Sequence, residues 1–227
     1  MSMDQIQVWQ GRVQANEALY ASYWRLLDNE EQARAQRFSH QVMHQQYVEI
    51  HGRLRLLLAQ LLSTAPESLV IAKTAQGKPY LVNYPALAFN LSHTQDRFLI
   101  AVAWHCRVGI DIEVVKPRAS LEGLVNKCFS ELESQYWHRL DNADKTDLFY
   151  RHWTRKEAFV KATGAGISVG LNQCEINPEG PLAILSLPLQ CGRPTDWFLQ
   201  DLDLGVGYCG AIVADKPLSS IIDIQSL

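Results

Sequence analysis

Cysteine pairs, long apolar runs, a dominant charge sign and the familiar phosphate-binding loops are all missing from this sequence. Its five cysteines (Cys106, Cys128, Cys174, Cys191 and Cys209) are odd in number and widely scattered, with no C-x-x-C pair. That pattern predicts reduced, partly buried thiols in a cytoplasmic protein and argues against disulfides or a zinc site. Apolar stretches such as Leu54 to Leu62 are too short and interrupted to span a bilayer. Met1 to Gln10 lacks a basic segment leading into an apolar one, so no secretory signal is expected. The formal net charge is −3 and the isoelectric point about 6.2, which leaves no global attraction to nucleic acid or anionic membrane. Any basic site must be local. There is no G-x-x-x-x-G-K-[ST] loop and no strand-linked G-x-G-x-x-G. Gly166-Ile167-Ser168-Val169-Gly170 has the form of a hydrolase nucleophile elbow. A helix precedes it where the elbow needs a strand, and a strand-like stretch follows, so it reads as a decoy. No low-complexity tract or clear repeat stands out.

The 227 residues, 47% hydrophobic and 20% charged, suit a soluble globular chain with one large domain or two small ones on a shared core. Apolar residues at helical spacing predict helix through residues 17–62, from Leu19, Tyr23, Leu26 and Leu27 to Leu57, Leu58, Leu61 and Leu62. Thr64-Ala65-Pro66 marks a turn, Val70-Ile71-Ala72 a short strand, and Gln76-Gly77-Lys78-Pro79 another turn. Strands are predicted at 87–92, 98–104 and 108–114, and Lys116-Pro117-Arg118 stops the last of them. A second cycle begins there. Ser130 with Glu133 is a capping-box pattern opening a helix. A further helix runs from about Asp147 to Thr163, ended by Gly164 and Gly166, with strands predicted at 173–177, 182–187, 197–201 and 206–214. Helices then strands, twice over, predict an α+β fold of two related subdomains, 1–115 and 116–227.

Four segments carry side chains suited to phosphate or metal chemistry. In Gly109-Ile110-Asp111-Ile112-Glu113, strand alternation puts Asp111 and Glu113 on one face, roughly 7 Å apart, with Ile110 and Ile112 on the other. Two such carboxylates suit a hard cation, and equally suit a half-solvated edge strand with two harmless acids. In Trp153-Thr154-Arg155-Lys156-Glu157-Ala158-Phe159-Val160-Lys161, helical spacing aligns Trp153, Glu157 and Lys161. The bland readings are a Thr154–Glu157 capping box or a Glu157–Lys161 surface pair. Phe89-Asn90-Leu91-Ser92-His93 closes a strand with groups that can meet phosphate, serve as nucleophile and base, or simply end the strand. Lys78, in its turn, can meet a phosphate or simply be solvated.

Taken in order and spacing, these segments are specific. Gly-Lys-Pro, Phe-Asn-Leu-Ser-His, Gly-Ile-Asp-Ile-Glu and Trp-Thr-x-Lys-Glu-Ala-Phe-x-Lys resemble the surfactin-synthetase-activating (Sfp-type) 4′-phosphopantetheinyl transferases. Arg37-Phe38 and His51-Gly52-Arg53-Leu54-Arg55 look like the family's N-terminal half, so the resemblance runs from about residue 30 to residue 170. It implies a pseudo-dimer of two α+β halves with coenzyme A in the cleft between them. It implies an activity too: transfer of 4′-phosphopantetheine from coenzyme A to a serine of an apo acyl or peptidyl carrier protein, releasing 3′,5′-ADP. Asp111, Glu113 and Glu157 match the family's magnesium ligands, and Lys161 its diphosphate-contacting lysine. Glu157, directly or through a bound water, is the candidate general base. His93 and Arg34 match positions near the 3′-phosphate, Ser92 a phosphate-contacting position, and Gly77, Lys78 and Pro79 the turn along the adenine and its phosphate. The best-known members carry a second lysine where this chain has Glu31; His51 or Arg53 is the candidate substitute. A cytoplasmic monomer with no nucleic-acid or membrane partner is expected, its carrier docking on a local patch drawing on Arg118, Lys127 and Phe129. The rival readings are an idle coenzyme-A-binding protein and a metal-dependent phosphohydrolase.

Overall fold

A computed structural model describes residues 6–14, 16–118, 120–166, 170–216 and 224–227. The chain opens with strand β1 (Gln7–Arg12) and helices α1 (Glu17–Leu26), α2 (Asn29–Ala35) and α3 (Gln41–Leu62). The hairpin β2 (Ile71–Lys73) and β3 (Pro79–Leu81) leads to β4 (Leu87–Thr94), β5 (Arg97–Trp104) and β6 (Val108–Val114). Helices α4 (Leu121–Cys128), α5 (Glu131–Arg139) and α6 (Asn142–Thr163) follow. The last strands are β7 (Glu175–Ile176), β8 (Ile184–Ser186), β9 (Phe198–Asp201), β10 (Tyr208–Ala214) and β11 (Ile224–Ser226).

Most expected elements are present, with two adjustments and four added strands or helices. The helix expected over 17–62 is three helices. Asp28 accepts the Glu31 amide and Glu31 accepts the Asp28 amide, a reciprocal box that starts a new helix where the apolar spacing ran on. The helix expected from Asp147 begins at Asn142, a turn earlier, and ends as expected at Gly164 in the left-handed region (φ 69). Ser130 and Glu133 do form the capping box that opens α5. The additions are β1, β3, α4 and β11. Ile167, Ser168 and Val169, the centre of the decoy elbow, lie outside the described residues.

Among the described residues two larger sheets form, ordered β11-β1-β5-β4 and β6-β10-β9, beside the two-stranded β2-β3 and β7-β8. Helix α3 covers the first through Ile50, Leu54, Leu57 and Leu58, packed on Trp9, Phe98, Ile100 and Val102. Helix α6 covers the second through Ala158, Phe159 and Ala162, packed on Ala211 and Val213. The remaining faces meet, Val8, Leu99, Ala101 and Ala103 of one against Ile110, Ile112 and Ile212 of the other. The result is a helix–sheet–sheet–helix stack, an α+β fold in two parts. Strand pairing crosses the division expected at 115/116: β6 precedes it yet pairs with β10, and β11 follows it yet pairs with β1. Among the described residues no helix is long and apolar enough to cross a membrane.

Candidate active site

The site is built where α6 lies on β6. Gly109, Asp111 and Glu113 share one face of β6, and Ile110 and Ile112 point into the seam between the sheets, as the alternation requires. Gly109 sets the distance. A Cβ there would stand 2.1 Å from the Ala158 carbonyl and 2.3 Å from the Ala162 amide, so only glycine admits the helix backbone this close. Ala158 and Ala162 are the small, buried residues at that contact. Trp153, Glu157 and Lys161 then run as a half-buried stripe along the margin of the helix, beside the two carboxylates of β6.

Asp111 is the centre of the geometry. It is 4% exposed. Its Oδ1 accepts from Lys161 Nζ at 2.6 Å and from Ser92 Oγ at 2.8 Å, while Lys161 Nζ also donates to Ser92 Oγ at 3.0 Å. The Ile112 amide donates to the same Ser92 oxygen at 3.3 Å, and the Ile110 amide to Asn90 Oδ1 at 2.7 Å. Asn90 and Ser92 of β4 thus bind the β6 backbone with side chains. Asp111 Oδ2 is buried with no partner. Desolvation, and next the charge of Asp111, holds the Glu113 carboxyl above its ordinary range, with Arg118, a hydrogen bond from Trp153 and Lys161 pulling the other way. Glu157 is raised for the same first two reasons and lowered by Lys161. An unpartnered buried oxygen and crowded hard-oxygen donors fit a magnesium ion in charge and ligand type. Among the described residues, no group of three or more His, Cys, Asp or Glu side chains is placed to hold a metal as it stands.

The structure decides several of the alternatives left open by the sequence. Thr154 lies inside α6 with its hydroxyl on the Arg151 carbonyl, so it caps nothing. Lys161 bonds Asp111 in place of a surface pair with Glu157. Lys156, next to Glu157, points away and is fully buried on Glu133 at 2.8 Å, with the Leu171 and Cys174 carbonyls as further acceptors. Phe129 is a core residue, 3% exposed and stacked on Phe149, which removes it from any docking patch; Arg118 and Lys127 are exposed.

Beside this centre, a cavity of about 80 Å³ is lined by Arg34, Tyr47, His51, Gly77, Pro79 and Glu31, among others. The Arg34 guanidinium lies 5.6 Å from the centre of the Tyr47 ring, and His51 stacks on that ring at 3.9 Å. Glu31 accepts from Arg55 Nε at 2.7 Å, and His51 Nδ1 lies 3.4 Å from its other oxygen. Burial pushes the Glu31 carboxyl up, but His51 and Arg55 outweigh it and hold it low. The acid standing in place of the family's lysine is therefore a helix cap and a counter-ion. Arg53 belongs elsewhere, paired with Glu49 at 2.9 Å and lying over Phe98. His93 sits at the surface. The crowded wall around it, and then the charges of His51, Lys161 and Arg34, hold its imidazole below the usual value. Lys78 sends its ammonium to the Ala162 and Val108 carbonyls. Asn90 and Gly109 build the site as well, and the only sequence signals for them are the alternation of Asn90 with Ser92 and the glycine that precedes the two acids of β6.

Two family models cover most of the chain: 4′-phosphopantetheinyl transferase, N-terminal, over residues 11–105, and 4′-phosphopantetheinyl transferase superfamily over residues 107–213. The Synechocystis protein slr0495, to which the same activity is attributed, is 33% identical over 204 residues, spanning 89% of this chain and 81% of that protein. The 4′-phosphopantetheinyl transferase HetI of Nostoc is 33% identical over 190 residues, spanning 82% of this chain and 80% of HetI. AcpT of Escherichia coli is 40% identical over 110 residues, 48% of this chain and 55% of AcpT. The chain belongs to the 4′-phosphopantetheinyl transferase superfamily, transferases that move 4′-phosphopantetheine from coenzyme A to carrier proteins.

Proposed function

We propose that this chain is an Sfp-type member, a magnesium-dependent cytoplasmic monomer with two halves, 1–115 and 116–227, acting on a serine of an apo acyl or peptidyl carrier protein. One observation carries the reacting centre. Asp111 is buried, one oxygen clamped by Lys161 and Ser92 and the other unpartnered, beside two glutamates that desolvation and then its charge hold above their ordinary range. Asp111, Glu113 and Glu157 would hold the ion, which when bound supplies positive charge to the non-bridging oxygens of the diphosphate. Lys161 would bring its ammonium to the same diphosphate and offset the charge developing on the leaving group. The serine oxygen bonds to the β-phosphorus as the bond to 3′,5′-ADP breaks. That hydroxyl is far too weak an acid to ionise near neutrality, so its proton must go to a base, and Glu157 is the group assigned to take it. Ser92 and Lys161 keep the buried carboxylate of Asp111 in register throughout. Arg34, His51, Gly77, Pro79 and His93 would line the nucleotide end.

The test is intact mass spectrometry of apo-carriers from fatty-acid, polyketide and non-ribosomal peptide pathways, incubated with this protein, coenzyme A and magnesium. A phosphopantetheine mass gain that requires the metal is expected. Asp111→Ala, Glu113→Ala and Glu157→Ala should each keep less than roughly a tenth of wild-type turnover while remaining folded, a loss above ~1.4 kcal/mol of transition-state stabilisation. Release of 3′,5′-ADP with no carrier modified identifies a phosphohydrolase instead.

A further inference from the structure

Lys78 lies in the tight turn between β2 and β3. The turn closes through the Gly77 amide on the Thr74 carbonyl, the Thr74 amide on the Lys78 carbonyl and the Lys78 amide on the Thr74 hydroxyl, with Gly77 at φ 87. Gly77 and Pro79 face the nucleotide cavity. The Lys78 side chain leaves the turn toward α6. Its Nζ donates to the Ala162 carbonyl at 2.8 Å and the Val108 carbonyl at 3.2 Å, and its stem crosses Gly164, where an added Cβ would come within 3.0 Å of Lys78 Cδ.

Both carbonyls matter by position. Ala162 is in the last turn of α6, where the helix leaves carbonyls without amide partners and favours a cation. It directly follows Lys161, and Val108 opens the strand that carries Asp111. The Lys78 ammonium therefore ties the end of α6 to the start of β6, next to the point where Gly109 lets the two backbones touch. Burial, and then Arg107, bring its pKa down to about 8 against the opposing pull of Asp215 and Cys106, as befits an amine buried inside a joint.

We infer that Lys78 is a positioning residue: it locks α6 onto β6 so that Lys161 stays seated on Asp111, and it is not a ligand of the coenzyme's phosphates. The inference rests on Asp111 and Lys161 being the reacting centre. A phosphate ligand contributes affinity for the 3′-phosphate, which dephospho-coenzyme A lacks; a strut contributes rate with either substrate.

Lys78→Met keeps the stem over Gly164 and removes the donor, and two measurements read the result. In amide hydrogen exchange of the protein alone, Ala162 to Gly164 should exchange about tenfold faster or more than in wild type while α3 is unchanged, as expected for losing one charge-assisted hydrogen bond. Unchanged protection there overturns the strut. In steady-state kinetics, kcat should fall about tenfold or more with both coenzyme A and dephospho-coenzyme A, with each KM within about twofold of wild type. A collapsed preference for coenzyme A, with kcat retained, makes Lys78 a phosphate ligand and overturns the inference. A wild type that modifies no carrier sinks the transferase reading alone, because the exchange measurement still decides the strut. Should the methionine variant not fold, Lys78→Leu, which also lacks a donor, takes its place and the same two outcomes decide.

Discussion

The Ser92 hydroxyl donates to Asp111 and accepts from Lys161 and the Ile112 amide, which uses its single proton and both lone pairs. A side chain so committed orients its neighbours, whatever else the motif around it suggests. His93, the next residue along β4, stands at the surface, with its imidazole held low by desolvation and by His51, Lys161 and Arg34. Its response to an anion can be worked out. A phosphate brought among those cations stabilises the imidazolium, so the His93 pKa should rise on binding and the complex should take up protons near neutral pH. An NMR titration of His93 with and without 3′,5′-ADP measures this. A pKa that stays put or falls takes His93 out of the 3′-phosphate site. At this scale strand and helix periods made legible that Asp111 shares a face with Glu113 and Glu157 with Lys161, while their proposed roles came from the ordered motifs and their resemblance to the family. The direction of the Lys78 side chain was not legible, since a turn lysine can point anywhere until a neighbour claims it.

Among the elements, α6 and β6 form the working pair, and their separation depends on a missing methyl group. Gly109→Ala places a carbon within 2.1 Å of the Ala158 carbonyl and 2.3 Å of the Ala162 amide. Both are backbone atoms, so trimming the alanine side chains gives no relief and the helix itself must move. The expected cost is about 1–3 kcal/mol of stability, together with a drop in kcat as Lys161 leaves Asp111. Denaturant melts and steady-state kinetics read the two effects; a variant with wild-type values for both would show that the close approach is unimportant. The buried Lys156–Glu133 pair holds the same helix from behind, joining α6 to α5 and to the 171–176 segment. A Lys-Glu dipeptide in a helix gives no sign that one partner is core and the other site; burial separates them.

For the molecule as a whole, strand exchange between the halves makes them interdependent. β6 comes from the first half and pairs with β10, β11 comes from the second and pairs with β1, and the seam buries Leu99, Ala101, Ile110 and Ile112. A fragment of residues 1–115 would leave β6 with no hydrogen-bonded neighbour in its own sheet and that apolar seam in water. Expressed alone it should lack a cooperative melt by circular dichroism, and adding fragment 116–227 should restore both the melt and transfer activity. A cooperative transition in 1–115 by itself would mean that the seam is dispensable.

By itself the sequence determined the α+β class, most of the strands and helices, the capping box at Ser130 and the four charged residues proposed for the reacting centre. Each depends on short-range periodicity, or on ordered motifs that survive without knowledge of partners. The tertiary structure decided which sheet β6 joins, that Ser92 and Asn90 bind the neighbouring strand, that Phe129 is core, and that Lys78 serves a helix end. Those outcomes turn on hydrogen-bond partners and burial supplied by residues far away in the chain, as with Lys78 and Ala162, and local spacing carries no information about them.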